Sequence, residues 1–449
     1  MRGAPTQSIP THSGTTVPGD TETGDSALAE TGDTGHTDDT EPPFVEGPAR
    51  YPHDQVHSPI TPRVAANLRD IAVAGEADVF MKVGASTTTS SHFLGCFAGG
   101  GVDLDVHEAL RPTLDFYLAG DAAGDTPFDR TTEAAQSGMS AGWAISGDPS
   151  PIEIEIAAID PRLAFVHYGT NDMGLGLTYA SASWGFYDDL SELVRQLVDA
   201  GILPILNGIP HRLDSEAADK WVATYNGIIR GVAQSWQVPF IDQFVVLEPL
   251  PEHGLSGDGI HLSLGPYDAC DLSPDGLDYG YNTRNLVSLE SLDRLHRVLD
   301  LAEDAPDVAH GPLQGDGSWE APLVIEGLPF AHQGNTDGWP VDVVDVYDAC
   351  SDSDESGPEV VYRFVIEETT PLRLMVFDTG DVDIDLHLLD DSGTPQGCIE
   401  RDHQLIETTL GAGTYHLALD TWVDGSGDVL SGEFMLLVVP CDADDADCA

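Results

Sequence analysis

Between residues 51 and 303, short apolar runs that stop at glycine alternate with amphipathic stretches, and this alternation constrains the fold more than any other feature of the chain. Ala77–Val83 (ADVFMKV) ends at Gly84, and Leu163–Tyr168 (LAFVHY) runs into Gly169. Phe186–Ala200 sets Leu190, Leu193, Val194, Leu197 and Val198 on one face at helical spacing and stops at Gly201. Ile202–Ile209 reads as the next strand, Ala217–Trp236 as the next helix and Val238–Ile241 as a further strand. Strands and helices in this order imply a parallel sheet covered on both faces, in an α/β unit spanning 49–303. Ligands of such sheets bind at the carboxyl ends of the strands.

The rhythm then changes. Residues 304–320 read as a linker. Within 321–440, Val360–Ile366, Leu372–Phe377, Ile384–Leu389, Thr414–Leu419 and Glu433–Val439 are short, alternating runs separated by Gly, Asp and Ser turns. They predict a small all-β antiparallel sandwich. Residues 1–48 are rich in Thr, Gly, Asp, Ser and Pro, with too little apolar surface to offset the entropy of ordering, and read as a disordered acidic spacer. Gly24-Asp25-Ser26 lies in this low-complexity stretch with no strand before it, and is read as a chance tripeptide. Residues 441–449, CDADDADCA, form an acidic Cys-flanked tail.

Charge excludes whole classes of partner. Asp and Glu number 77 against 18 Lys and Arg, a formal net charge of −59. Such a surface repels phosphate backbones and anionic lipids, so no nucleic acid or membrane-surface partner is expected. No apolar run reaches the ~18 residues of a membrane span. The opening MRGAPTQSIPTHSG also lacks the apolar stretch of a signal peptide. An even count of six cysteines in so acidic a chain favours disulfides and an extracellular or cell-surface location, with free buried thiols as the alternative. Their positions suggest Cys96–Cys270, Cys350–Cys398 and Cys441–Cys448.

Three strings carry chemistry. Gly84-Ala85-Ser86 follows the first strand, which puts a serine at the carboxyl edge of the sheet. A serine hydroxyl needs a base before it attacks a carbonyl. Gly169-Thr170-Asn171-Asp172 follows the second, where an Asn amide can donate to a developing oxyanion. Asp258-Gly259-Ile260-His261 places a carboxylate three residues before a His, able to hold the tautomer that leaves Nε2 free. Each string alone is common. Their order and their strand-end positions give them weight together.

With these blocks, residues 77–300 resemble the SGNH/GDSL hydrolase family. The first block, Gly-Asp-Ser, corresponds to Gly84-Ala85-Ser86, with Ala85 in place of the aspartate. The second corresponds to Gln136-Ser137-Gly138-Met139-Ser140, with Gln136 where Asn is usual. The third and fourth, Gly-x-Asn-Asp and Asp-x-x-His, are intact. The resemblance implies a flavodoxin-like α/β/α sandwich and a secreted serine esterase that forms an acyl-enzyme on Ser86, with His261 as base and Asp258 orienting it. It also implies an oxyanion hole of Ser86 N–H, Gly138 N–H and the Asn171 side chain, with no cofactor required. The substrate expected is a small-molecule or polysaccharide ester (lipid, acyl or O-acetyl carbohydrate), handled by a monomer. The competing expectation is a catalytically degenerate surface protein that binds a carbohydrate or a partner, with Ala85 marking the decay. Trp143, Phe186 and Tyr187 could line an acyl or sugar site or belong to the core. The 321–440 unit resembles bacterial pre-peptidase C-terminal domains through its D-x-D-L-x-L string and Gly413-Thr414-Tyr415-His416-Leu417. There Asp381, Asp383 and Asp385 could hold calcium, or form a plain acidic surface.

Overall fold

The computed structural model describes residues 48–449 except 267, 309, 310, 352 and 449. The spacer and its Gly24-Asp25-Ser26 therefore lie outside the described residues, apart from Pro48. In chain order the α/β part contains α1 (Pro62–Ile71), β1 (Glu76–Gly84), α2 (Ser86–Thr89), α3 (Arg111–Leu118), α4 (Ala141–Ala144), α5 (Pro151–Ile159), β2 (Pro161–His167) and α6 (Tyr179–Asp199). It continues with β3 (Leu203–Asn207), α7 (Glu216–Asp219), α8 (Val222–Trp236), β4 (Phe240–Ile241), α9 (Gln243–Leu247) and α10 (Gly280–Leu299).

Strands β1 to β4 pair in parallel in that order. On the other edge of β1, Gly84 bridges Ala135 in parallel, with Gly84 N–H donating to the Ala134 carbonyl at 3.3 Å and Gln136 N–H to that of Gly84 at 3.1 Å. The chain thus steps outward from β1 to residues 134–136, then crosses back to β2. That reversal is the switch point of a flavodoxin-like sheet, where a crevice opens above the strand ends. Helices α1, α3 and α10 cover the sheet as one group, and α4, α5, α6 and α8 as another.

Local chemistry sets the boundaries. Helix α6 starts seven residues before the apolar stripe that predicts it, because Thr178 and Ser181 form a reciprocal cap. The predicted helix 217–236 is two helices, α7 and α8, with Lys220 and Trp221 between them. The predicted strands at 202–209 and 238–241 shorten to five and two residues.

The remaining strands are β5 (Leu323–Val324), β6 (Phe330–Asn335), β7 (Glu359–Ile366), β8 (Thr370–Asp378), β9 (Ile384–Leu389), β10 (Cys398–Asp402), β11 (Leu405–Leu410), β12 (Gly413–Thr421) and β13 (Glu433–Pro440). They form sheets ordered β10-β9-β12-β7-β5 and β11-β8-β13-β6, antiparallel except for β5 against β7. Alternation decides what each face touches. Leu374, Val376, Leu436 and Val438 point into the sandwich core with Tyr362, Leu386 and Leu417. The intervening Met375, Phe377, Met435, Leu437 and Val439 belong to the core of the α/β part. Phe377 meets Tyr187 at 5.1 Å between ring centroids, and Trp184 Nε1–H donates to the Val376 carbonyl at 3.1 Å. Gly227 and Gly231 on α8 let this sheet approach closely, since a Cβ there would stand 2.6 Å from Leu437 Cδ1 and 2.4 Å from Met435 Sδ. Arg373 is buried at the same seam, 3.5 Å over the Trp221 ring, with hydrogen bonds to Thr224, Glu407 and Asp445.

The six cysteines pair as Cys96–Cys270, Cys350–Cys398 and Cys441–Cys448. The first spans a sequence separation of 174, for which loop-closure entropy lost by the unfolded chain amounts to about 5 kcal/mol. No helix among the described residues is long and apolar enough to cross a membrane.

Candidate active site

Three loops at the carboxyl ends of β1, the 134–136 bridge and β2 meet the loop at 255–262. Ser86 opens α2 directly after β1, and His261 Nε2 lies 2.9 Å from its Oγ. On the other side of the ring, Nδ1 lies 2.7 Å from Asp258 Oδ2. The second Asp258 oxygen accepts from Ser256 Oγ–H at 2.8 Å and from the Ile260 and His261 backbone N–H groups at 3.0 Å each. The His261 N–H and ring, then the Ile260 N–H, hold the Asp258 carboxyl well below the usual carboxylate range. These contacts favour the carboxylate anion, which accepts from a proton-bearing Nδ1. Gly259 makes this turn possible. Its φ is +74°, and a Cβ there would stand 2.6 Å from Asp214 N.

Ala85 is buried and supplies no side-chain cap to α2. Other groups hold the turn. The Thr88 and Thr89 N–H groups donate to the Ala85 carbonyl, and Thr89 Oγ1–H donates to that of Ser86. Arg284, fully buried from α10, donates to the Thr87 carbonyl at 3.0 Å and lies 3.7 Å over the Phe93 ring. Thr87 Oγ1 pairs with His167 Nδ1 at 3.0 Å. The nucleophile turn is thus pinned at its far end, without the aspartate of the first block.

Asn171 Nδ2 donates to the Met139 carbonyl at 3.0 Å, tying the third block to the turn of the second. Its amide carries a second N–H. Ser86 and Asn171 line one small pocket of about 20 Å³ with Ala85, Tyr168, Pro210 and Ile260. Gly138 takes φ +80°, one residue from the Asn171 contact, and is not in the lining of that pocket. The backbone N–H groups of Ser86 and Gly138 donate to no other described backbone carbonyl.

Sequence reasoning included Asp172 in the third block without giving it a role, and it missed Arg284; both hold the loops of the site in place. The buried Asp172 carboxylate accepts from Ala141 N–H at 2.8 Å and Gly169 N–H at 2.9 Å, so it binds the second-block and third-block loops to each other. Burial pushes its pKa up to about 6. The Asn-Asp pair could have signalled a loop clamp, whereas nothing in the sequence joins Arg284 to Thr87. Of the aromatic candidates, Phe186 stacks on Tyr225 at 5.2 Å and Tyr187 packs on Phe377, both in the core, and Trp143 is half-buried against it.

The calcium candidates part company. Asp381 is exposed and lies outside the cluster that Asp383 and Asp385 form with His403. His403 Nδ1 lies 2.9 Å from Asp383 and 3.2 Å from Asp385, and Arg401 also pairs with Asp385. The protein's own cations face these carboxylates. Hydrogen bonding to Asp383 and then Asp385 pushes the His403 pKa up to about 10 from an ordinary value of 6.5. A raised folded value means this stabilisation is complete below pH 6.5 and is lost as pH rises through about 10. Urea unfolding is therefore expected to show stability falling across that window, and His403→Gln should flatten this part of the profile. An unchanged slope in the variant would refute the assignment.

The GDSL-like Lipase/Acylhydrolase family model matches residues 98–268. That span includes Gly138, Asn171, Asp258 and His261 but begins after Ser86. A search of curated proteins returns no match. Among solved structures, an acetyl xylan esterase from Geobacillus stearothermophilus is similar at 15% identity and a TM-score of 0.34, covering 49% of this chain and 95% of its own. A putative acylhydrolase from Bacteroides fragilis is similar at 14% identity and a TM-score of 0.32, covering 52% and 93%. The pre-peptidase C-terminal domain of a collagenase from Bacillus anthracis is similar at 17% identity and a TM-score of 0.18, covering 26% and 91%. These structural likenesses are weak, and the family model carries the assignment: the α/β part of this chain is similar to the GDSL-like lipase/acylhydrolase family.

Proposed function

We propose that the chain is an extracellular carboxylic-ester hydrolase working through an acyl-enzyme on Ser86. The observation that carries this reading is the unbroken relay Ser86–His261–Asp258 at 2.9 and 2.7 Å. As Ser86 Oγ attacks the ester carbonyl, His261 Nε2 takes its proton and Asp258 stabilises the imidazolium. Asn171, the Ser86 N–H and the Gly138 N–H serve the oxyanion. Collapse expels the alcohol, which receives the proton from His261. Water, deprotonated by the same nitrogen, attacks the acyl carbonyl, the C–Oγ bond breaks to release the acid, and His261 returns the proton to Ser86 Oγ. The residues supply nucleophile, base and electrostatic stabilisation without calling on a metal.

The size of the pocket beside Ser86 and Asn171 supports a short acyl group. Its roughly 20 Å³ holds about one water-sized body, which matches an acetyl methyl. His261 and Asp258 are about half exposed, so the alcohol side of the ester faces open solvent, as a bulky sugar or small-molecule alcohol requires. With p-nitrophenyl esters, kcat/KM is expected to be highest for acetate and to fall by at least tenfold for octanoate. Equal rates along the series would overturn the short-acyl reading. Absence of hydrolysis, together with no labelling of Ser86 by a fluorophosphonate, would favour the binding-module reading that Ala85 raises.

A further inference from the structure

Beside the catalytic loop, two histidines and a glutamate converge from separate segments. His211 follows β3, Glu248 follows α9, and His253 lies in the turn that leads directly into the 255–262 loop. Glu248 Oε2 stands 2.6 Å from His211 Nε2 and 3.1 Å from His253 Nδ1, and the three donor atoms lie within 4.8 Å of one another. The far nitrogen of His211, Nδ1, faces the Asp219 carboxylate at 3.0 and 3.1 Å. Asp219 is itself fixed by the Arg212 backbone N–H at 2.7 Å.

We infer that His211, Glu248 and His253 form a binding site for a zinc-class divalent transition-metal ion, with Asp219 orienting His211. The donor set is two imidazole nitrogens and one carboxylate oxygen, which suits zinc and its neighbours and not calcium or magnesium, which take oxygen shells. A carboxylate on the far nitrogen of a ligating histidine fixes its tautomer and strengthens the ligand. Donors bound at about 2.0–2.1 Å in a tetrahedron stand roughly 3.3 Å apart, against 2.6 and 3.1 Å for the two contacts of Glu248, and His253 Nδ1 would exchange its 3.1 Å hydrogen bond to the Glu248 backbone carbonyl for the ion. A fourth position remains for water, because Glu248 is half exposed.

Two further features fit an ion. The His211 and His253 rings lie 4.2 Å apart, close enough for both to reach one ion. Glu252 and His253 also hold consecutive left-handed backbone conformations, at φ +50° and +52°, which turn the His253 ring toward Glu248. The residues after His253 carry Asp258 and His261, so the ion would clamp the root of that loop to the end of β3.

Equilibrium dialysis of the EDTA-stripped full chain against zinc tests this, with calcium at equal concentration as the control for the general cation attraction of an acidic surface. One tightly held zinc per chain is expected, with calcium failing to compete. His253→Asn, whose side chain tolerates the left-handed backbone, and Glu248→Gln should each weaken zinc binding by tenfold or more. Zinc should also raise the melting temperature of the parent chain and not that of the variants. No tight zinc, equal displacement by calcium, or undiminished zinc in both variants would overturn the site.

Discussion

Ser86→Ala is expected to reduce hydrolysis of p-nitrophenyl acetate by on the order of 10⁶ in kcat, since a relay of this kind loses nearly all its advantage when the nucleophile goes. The hydroxyl lies 2.9 Å from its base, and no other described serine side chain hydrogen-bonds to the His261 ring. The variant should keep its fold. Ser86 is the first residue of a turn held by the Ala85 carbonyl and by Arg284, and neither contact uses the Ser86 side chain. Steady-state rates beside matched circular dichroism and melting curves check this. Substantial residual activity in a folded variant would remove Ser86 from the role.

Asp258→Asn should cost about 10⁴ in kcat with little change in stability. The amide oxygen can still accept from Ser256, Ile260 and His261 N–H, so the loop remains closed. The amide nitrogen then faces His261 Nδ1 and donates to it. That leaves the proton on Nε2, the nitrogen that must accept from Ser86. Because its neighbours hold Asp258 ionised well below the ordinary carboxylate range, its own protonation should not produce an acid limb in the parent pH–rate profile. A variant within tenfold of the parent would mean that Asp258 serves the loop and not the reaction.

What the sequence disclosed follows from how local each signal is. Glycine-terminated strands announce themselves, and so do motifs whose parts lie within a few residues, such as Asp258 and His261. Residues 134–136 did not, because their single bridge to Gly84 leaves no alternating pattern to read. Strands β6, β10 and β11 were hidden for a related reason. FAHQGN and CIERD lie at or near sheet edges, where polar residues are tolerated, and their pairing is set by their partners. Arg284 acts on Thr87 across nearly two hundred residues, and the His211, Glu248 and His253 cluster assembles only once the segment after β3 packs on α9, where His211 meets Phe244. The sandwich was foreseen as a separate unit beyond a linker, yet Met375, Phe377, Met435, Leu437 and Val439 give its four-stranded sheet a second apolar face. Alternation on one strand cannot tell which layer each face will meet.

That doubly apolar sheet has a mechanical consequence. An appendage on a flexible tether lets a catalytic head sample many angles over a surface, and its reach is set by the length of the tether. Here the side chains of β8 and β13 interlock with α6 and α8, with glycines on α8 admitting them and Arg373 bolted through the seam. Anything that grips the outer sheet of the sandwich therefore fixes the bearing of the Ser86 cleft as well. If the ester proposed above sits on an extended polymer, the cleft would meet it at the single angle this seam sets, and neighbouring bonds would wait for a fresh encounter.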